Sequence, residues 1–451
     1  MGQRVSQGDL NGALAVARQQ AAMALADLGA VLAIGGARDE SANLLRQAFR
    51  LHAGDANVFH NTVTALQAAG RLKGEVLQKM LEMLITPNRP AWLEDYRDLL
   101  LLPRFLNLEF VSGKCNLKCR MCTGTNSPKH PNKLTFLPAA ELEQMLAAAP
   151  SISGVTLSSG DSDPLLHPEL EAVIEVARRH EIVMDFFTNG LALNERRIRL
   201  IVQAGVVGMF NFSIDAATPE TYQRIRGGDW ARVLANMEMF QAVKKELGLD
   251  KPMLSLSFVA MADNIAELPA FVDLALRLGA GRVFVEDLAG WDGQASENRL
   301  ARENPRCMAY AAEAKRRAAA GQLALQLPEG LMTQGSGAQA KVLESTDVTV
   351  PFCTWLQGVW VDADGAMSPC CMMHGTKEVD MGNIHEGPLL ANEKYVRFKS
   401  LLCAGKVLPG CHPHLMCKYV QNQKLRGIPL RVIQPGELAG ADNLATDEHR
   451  S

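Results

Sequence analysis

The 451-residue chain is 47% hydrophobic and 21% charged, ordinary values for a globular protein. Its 46 Lys and Arg against 49 Asp and Glu leave a formal charge of −3, which gives no electrostatic basis for binding nucleic acid or anionic lipid. No apolar run reaches the roughly 18 residues of a transmembrane helix. The opening MGQRVSQGDLNGALAVARQQ lacks the unbroken apolar core of a signal peptide, so a cytoplasmic location is expected.

Residues 1–103 are Ala- and Leu-rich with apolar spacings of three and four, predicting a helical domain. GARDESANLLRQAFRL from Gly36 and GRLKGEVLQKMLEML from Gly70 share a turn followed by an amphipathic helix, 34 residues apart. That period is TPR-like, resembling tetratricopeptide repeats, and a plain helical bundle reads equally well from the same residues. From Phe105 the period changes. Short β-type runs at 106–111, 154–158, 183–188, 208–213, 253–260 and 282–286 alternate with helical stretches such as those at 138–148, 168–180, 194–204, 230–247 and 267–278. Six strand-then-helix units predict an α/β fold over 104–328: a partial (β/α)6 barrel with a parallel sheet and its chemistry at the C-terminal strand ends. A Gly-, Ser- and Thr-rich linker at 330–349 leads into a small cysteine-rich domain within 329–427. Residues 428–451 read as a disordered tail.

The ten cysteines are clustered: three within 115–122, six within 353–417, and Cys307 alone. In a reducing compartment such clusters point to metal binding or catalysis, whereas a lone cysteine reads as a small buried hydrophobe. FLNLEFVSGKCNLKCRMCTG sets Cys115, Cys119 and Cys122 in a loop directly after the first strand. Three thiolates on so short a loop suit three irons of a 4Fe-4S cluster, with the fourth iron open to another ligand. A structural zinc site wants four closed ligands, and no fourth cysteine lies nearby.

The Cys-x3-Cys-x2-Cys loop resembles the signature of radical S-adenosylmethionine (radical SAM) enzymes. The resemblance implies that the open iron binds the amino and carboxylate groups of S-adenosylmethionine. Reduction then yields a 5′-deoxyadenosyl radical that takes a hydrogen atom from substrate. Met121 holds a position that in the family lies near the adenine. LSSGDSDPLLHPEL, with Gly160 and Asp163, is similar to the loop that contacts the amino group, and here Ser162 and Asp163 stand where Gly and Glu are usual. Asn189 of FFTNG, and Ser213 and Asp215 of NFSIDAATPETYQRIRGG, match further cofactor-binding strand ends. Taken singly, Asn189-Gly190 reads as a turn and Ser213 with Asp215 as a helix cap.

VWVDADGAMSPCC predicts a β-hairpin that brings Cys353 and Cys370 together, with Cys411 and Cys417 completing a four-cysteine site. This layout, with MGNIHEG at 381–387, resembles the SPASM and Twitch extensions of radical SAM enzymes and implies an auxiliary 4Fe-4S cluster. A structural zinc site on the same cysteines is the competing reading. Cys371 and Cys403 are then spare, as buried thiols or as a hydrogen-atom donor, and His374, His385, His412 and His414 lie near enough in sequence to substitute as ligands. The resemblance implies modification of a peptide or protein side chain, with dehydrogenation or epimerisation of a sugar or aminocyclitol as the alternative. It also implies an electron donor such as flavodoxin or ferredoxin. A non-catalytic, metal-stabilised scaffold is the reading from another class.

Overall fold

The computed structural model describes residues 7–69, 71–85, 90–122, 134–158, 160–288, 300, 305–328, 331, 358–370, 381–389, 392–403, 406–407 and 431–432. The Ala- and Leu-rich stretch folds as α1 (Gln7–Ile34), α2 (Arg38–His52), α3 (Ala56–Ala68) and α4 (Gly74–Ile85), then a 3-10 segment, Ala91–Leu101. The two similar sequence stretches supply α2 and α4. Asp55 starts α3 by accepting hydrogen bonds from the Asn57 and Val58 amides, two donors that a helix start leaves orphaned. Phe59 of α3 meets Trp92 and Tyr96 edge-on, with ring centroids 5.3 and 4.8 Å away, and joins these helices to the main core.

The alternating region gives β1 (Phe105–Glu109), β2 (Val111–Ser112), β3 (Thr135–Phe136), α5 (Ala139–Ala148), β4 (Gly154–Ser158), α6 (Leu170–Arg179), β5 (Val183–Thr188) and α7 (Glu195–Gln203). It continues with β6 (Val207–Ser213), α8 (Pro219–Arg226), α9 (Trp230–Leu247), β7 (Met253–Ala260), α10 (Leu268–Arg277), β8 (Arg282–Asp287), α11 (Pro305–Ala320) and β9 (Ala324–Gln326). The hairpin strands β10 (Gly358–Val361) and β11 (Met367–Ser368) precede α12 (Glu393–Cys403). Nine strands share one sheet in the order β11-β10-β1-β4-β5-β6-β7-β8-β9, with the β10–β11 pair antiparallel and the rest parallel. The expected strands are β1 and β4 to β8, laid side by side in chain order as a partial barrel requires. The first is shorter than its apolar run. It stops at Glu109, and Val111–Ser112 turns aside to pair with Thr135–Phe136.

The two sheet faces differ. On one, Phe210 stacks on Phe240 of α9 and Phe258 meets Phe271 of α10, each at 5.0 Å between centroids. On the other, strand register aligns Asn107, Thr156 and Asp185 in one row, and Asn211, Ser255 and Arg282 in the next. Among the described residues, the buried Ser158 and Ser255 hydroxyls and the Asn211 side-chain carbonyl have no hydrogen-bond partner. Such groups are expensive to bury unpaired, so this face is suited to a polar ligand or water.

The expected hairpin forms, but it extends the barrel sheet, because β10 lies parallel to β1. Gly365 turns the hairpin at φ +80°, and the Gly-Asn-Ile segment closes on it through an Ala366–Asn383 bridge and an Ile384 amide bonded to the Gly365 carbonyl at 2.9 Å. Gly358 faces Phe105, where a Cβ would stand 2.2 Å from the ring. The Gly358 carbonyl accepts a bond from the buried Lys399 ammonium of α12 at 3.1 Å. Gly358→Ala is therefore expected to destabilise the protein by about 1–3 kcal/mol through overpacking. A denaturant midpoint equal to that of the parent would mean that β10 does not lie against Phe105.

Charged helix faces pair within and between helices: Arg199 with Glu195 and Glu246, Arg196 with Glu171, and Arg317 with Glu313 and Asp273. Cys307 is buried in the main core. Among the described residues, no helix is long and apolar enough to cross a membrane.

Candidate active site

The cysteine loop begins where β2 ends and is fastened at four points. Asp161, after β4, accepts the Ser112 hydroxyl at 3.0 Å and the Gly113 amide at 2.9 Å. The Ser162 hydroxyl bonds to the Lys114 carbonyl at 2.6 Å. The Asn189 side-chain amide, after β5, donates to Asn116 Oδ1 at 2.7 Å. The Arg120 amide donates to the Ile225 carbonyl in the last turn of α8 at 2.8 Å. A loop with little regular structure of its own thus takes its shape from three strand–helix units.

All three thiols are partly exposed. The Leu117 amide donates to Cys115 Sγ at 3.4 Å, Arg226 Nη1 lies 3.9 Å from Cys119 Sγ, and the Cys122 thiol donates to the Gly160 carbonyl at 3.6 Å. Burial pushes the Cys115 thiol up to about 12, and the Asp163 charge and the other two thiols add to the rise. Burial also raises the Cys119 thiol, while Arg226 pulls it down. Thiols this reluctant to ionise give up their protons to a metal that takes their place. Among the described residues, no three His, Cys, Asp or Glu side chains are focused on a single-ion position. A cubane does not need that focus, because each thiolate binds a different iron. The donor set fits a cluster.

The other expected cofactor contacts are placed unevenly. Met121 packs on an apolar group of Ile225, Met261 and Leu288. The Gly160 amide donates to Glu109 Oε1 at 3.0 Å. Ser213, partly exposed at the end of β6, ends a chain in which the Asn211 amide donates to Ser257 Oγ (2.9 Å) and Ser257 Oγ to Ser213 Oγ (3.3 Å). Asp163 and Asp215, expected to face the cofactor, are turned into the protein. Asp163 is 2% exposed and accepts bonds from the Leu165 amide (3.0 Å), the Thr188 hydroxyl (2.8 Å) and the Asn189 amide (2.7 Å). Asp215 is fully buried, with one oxygen on Arg226 and the other on the Val259 amide at 2.7 Å. Neither Ser213 nor Asp215 caps α8, a role taken by Thr218 ahead of Pro219. Asp161 and Arg226 were missed as site residues, although both lie inside the stretches singled out.

Of the second cysteine group, Cys370 follows β11 and packs partly buried against the main core. Cys353, Cys371, Cys411 and Cys417, with His374, His412 and His414, lie outside the described residues, as does the side chain of Cys403. His385 Nε2 stands 3.9 Å from Glu141.

Residues 110–255 match the radical SAM superfamily, and residues 353–418 match SPASM, an iron–sulfur cluster-binding domain. The PqqA peptide cyclase of Gluconobacter oxydans is 29% identical over 175 residues, 38% of this chain and 46% of that protein. A GTP 3′,8-cyclase of Chlorobaculum tepidum is 28% identical over 171 residues, 36% of this chain and 48% of that protein. The chain thus spans about half the length of the curated relatives it matches. Streptococcus suis SuiB bound to S-adenosylmethionine superposes with a TM-score of 0.54 at 15% identity, covering 83% of this chain and 86% of that one. SuiB bound to its precursor peptide SuiA gives 0.51 at 14% identity, over 73% and 77%. At these identities the likeness concerns the fold.

With cysteine loop, sheet and superfamily match in agreement, residues 110–255 carry a radical SAM domain. More narrowly, a SPASM domain follows at residues 353–418, and the two domains support S-adenosylmethionine, its 4Fe-4S cluster and auxiliary iron–sulfur clusters as cofactors.

Proposed function

We propose that Cys115, Cys119 and Cys122 hold the 4Fe-4S cluster and that the enzyme modifies a peptide or protein side chain. The observation that carries this reading is the three-cysteine loop, fastened beside a sheet whose inner face is polar and has unpartnered groups. When bound, the reduced cluster supplies the electron that splits S-adenosylmethionine into methionine and a 5′-deoxyadenosyl radical, which takes a hydrogen atom from substrate.

The chain's own residues bind and orient. Asp161, Ser162 and Asn189 fix the loop, so the thiols meet the irons with little rearrangement. Met121, backed by Ile225, Met261 and Leu288, offers an apolar wall for the adenine. Ser213 offers a hydroxyl to the ribose, oriented by Ser257 and Asn211. Cys353, Cys370, Cys411 and Cys417 are assigned to an auxiliary cluster, with Cys371 or Cys403 as hydrogen-atom donor. Flavodoxin or ferredoxin would bring the electron. The peptide reading is supported by a relative whose name specifies a peptide cyclase and by a fold shared with a protein solved with a precursor peptide.

The test is 5′-deoxyadenosine formation by anaerobically reconstituted enzyme with dithionite and S-adenosylmethionine, given separated polypeptide and small-metabolite fractions of the source cell. A protease-sensitive polypeptide fraction is expected to raise formation roughly tenfold or more, about 1.4 kcal/mol of barrier. Stimulation by small metabolites alone would move the substrate to the sugar or aminocyclitol class. No deoxyadenosine in any fraction, with the cluster intact, would sink the radical reading.

A further inference from the structure

We propose that Arg226 sets how readily the cluster on the cysteine loop is reduced, and that Asp215 acts by holding Arg226 in place. The inference rests on the assignment of Cys119 as a cluster ligand.

Arg226 is the last residue of α8, which stops at Gly227 in the left-handed conformation (φ +68°). Its side chain is only 10% exposed. Nε and Nη2 both reach Asp215 Oδ2, at 2.7 and 2.6 Å, while Nη1 stands 3.9 Å from Cys119 Sγ. One planar guanidinium therefore touches a buried carboxylate with one edge and a proposed ligand sulfur with another nitrogen. A lysine ammonium, a single point on a flexible stem, lacks the planar fork that makes both contacts at once.

Asp215 is itself rigidly held. Its φ of +61° is unusual for a residue with a side chain. The surroundings enforce it: the Val259 amide takes Oδ1 at 2.7 Å, and the Asn264 amide group holds the Asp215 carbonyl at 2.9 Å. A carboxylate committed in this way is poorly placed to serve a ribose. It is well placed to keep a guanidinium from swinging away.

Such a buried ion pair gives little net stability by itself, because desolvating both charges offsets most of their attraction. Its use lies at the sulfur. A cluster carries one more negative charge after reduction, and hydrogen bonds to its sulfurs are among the groups that set its potential. Arg226, itself buried, places a cation and an N–H donor beside one partly exposed sulfur, where the attraction is less screened than in open water. The reduced form gains more from this than the oxidised form, so the potential rises.

The experiment is a dithionite-poised redox titration of full-length reconstituted enzyme, followed by the electron paramagnetic resonance signal that changes on adding S-adenosylmethionine. That response separates the site from the auxiliary clusters, because only an open iron takes the added ligand. In Arg226→Gln, the reduced-to-oxidised ratio at the parent's midpoint is expected to fall tenfold or more, a 59 mV drop for a one-electron couple. Auxiliary signals should keep their midpoints. Arg226→Lys should fall less, because it keeps the charge. An unmoved midpoint in Arg226→Gln would overturn the proposal, as would failure of both variants to load iron, which would make the residue structural. If Cys119→Ala kept the S-adenosylmethionine-responsive signal, the ligand assignment itself would have failed, a separate outcome.

Discussion

Cys119→Ala is expected to reduce 5′-deoxyadenosine formation to background and to lower bound iron by about four atoms per chain. Two remaining thiols cannot hold a cube that already leaves one iron to another ligand. The effect should be all or none, because no further cysteine stands among the described residues of the loop. The amide and hydroxyl bonds that join it to Asp161, Ser162, Asn189 and Ile225 fix its path and offer no thiolate. The fold should barely notice. Cys119 is partly exposed, and its polar neighbour Arg226 stays paired to Asp215, so the iron-free unfolding midpoint should move by less than about 1 kcal/mol. Cys307→Ala is the matching control, since that thiol is buried in the main core and turnover should persist. Parent levels of both iron and turnover in Cys119→Ala would remove the loop from the chemistry. Lost iron with unchanged partner binding and no activity in either protein would favour a scaffold.

Of the barrel strands, β4 and β5 were the most directly legible, because one face of each is buried more than the other. Burial alternates along β4 and β5, and the two-residue period survives in the sequence. The place of the hairpin was not legible. β10 pairs with β1, a strand from the far end of the barrel, and no local pattern records such a partner. The same limit applies within the site. The cysteine spacing is local and could be read directly, whereas Asp161 meets Gly113 across 48 residues and Arg226 meets Cys119 across 107. Neither contact leaves a periodic trace. Thr218-Pro219, by contrast, is a recognisable helix start and was a better cap candidate than Ser213 or Asp215, since the hydroxyl takes the Thr221 amide and proline fits the first turn.

Asp163→Ala is expected to destabilise the iron-free protein by about 3–5 kcal/mol, because it leaves the Leu165 and Asn189 amides and the Thr188 hydroxyl without an acceptor in a buried site. Placing this effect in the apo protein distinguishes two roles for the carboxylate. A group that merely contacts S-adenosylmethionine would leave the iron-free unfolding curve unchanged and raise the S-adenosylmethionine concentration needed for turnover. A group that ties the β4 loop to the end of β5 lowers the midpoint before any cofactor is added. The loss should also reach the cysteines, since Asn189, held by Asp163 through its amide, holds Asn116 through its side chain. Iron retention under a chelator is then expected to fall along with stability. Asp163→Asn should be milder. Burial raises the acid's pKa against the opposing pull of its hydrogen bonds, so a neutral group is less foreign there than a cavity. Asp163→Glu restores the residue usual in similar loops but adds a methylene to a side chain only 2% exposed. Overpacking of about 1–3 kcal/mol is expected from it, with no gain in cofactor affinity. Tighter S-adenosylmethionine binding by the glutamate variant, or an iron-free midpoint unmoved in the alanine variant, would return Asp163 to direct contact with the cofactor.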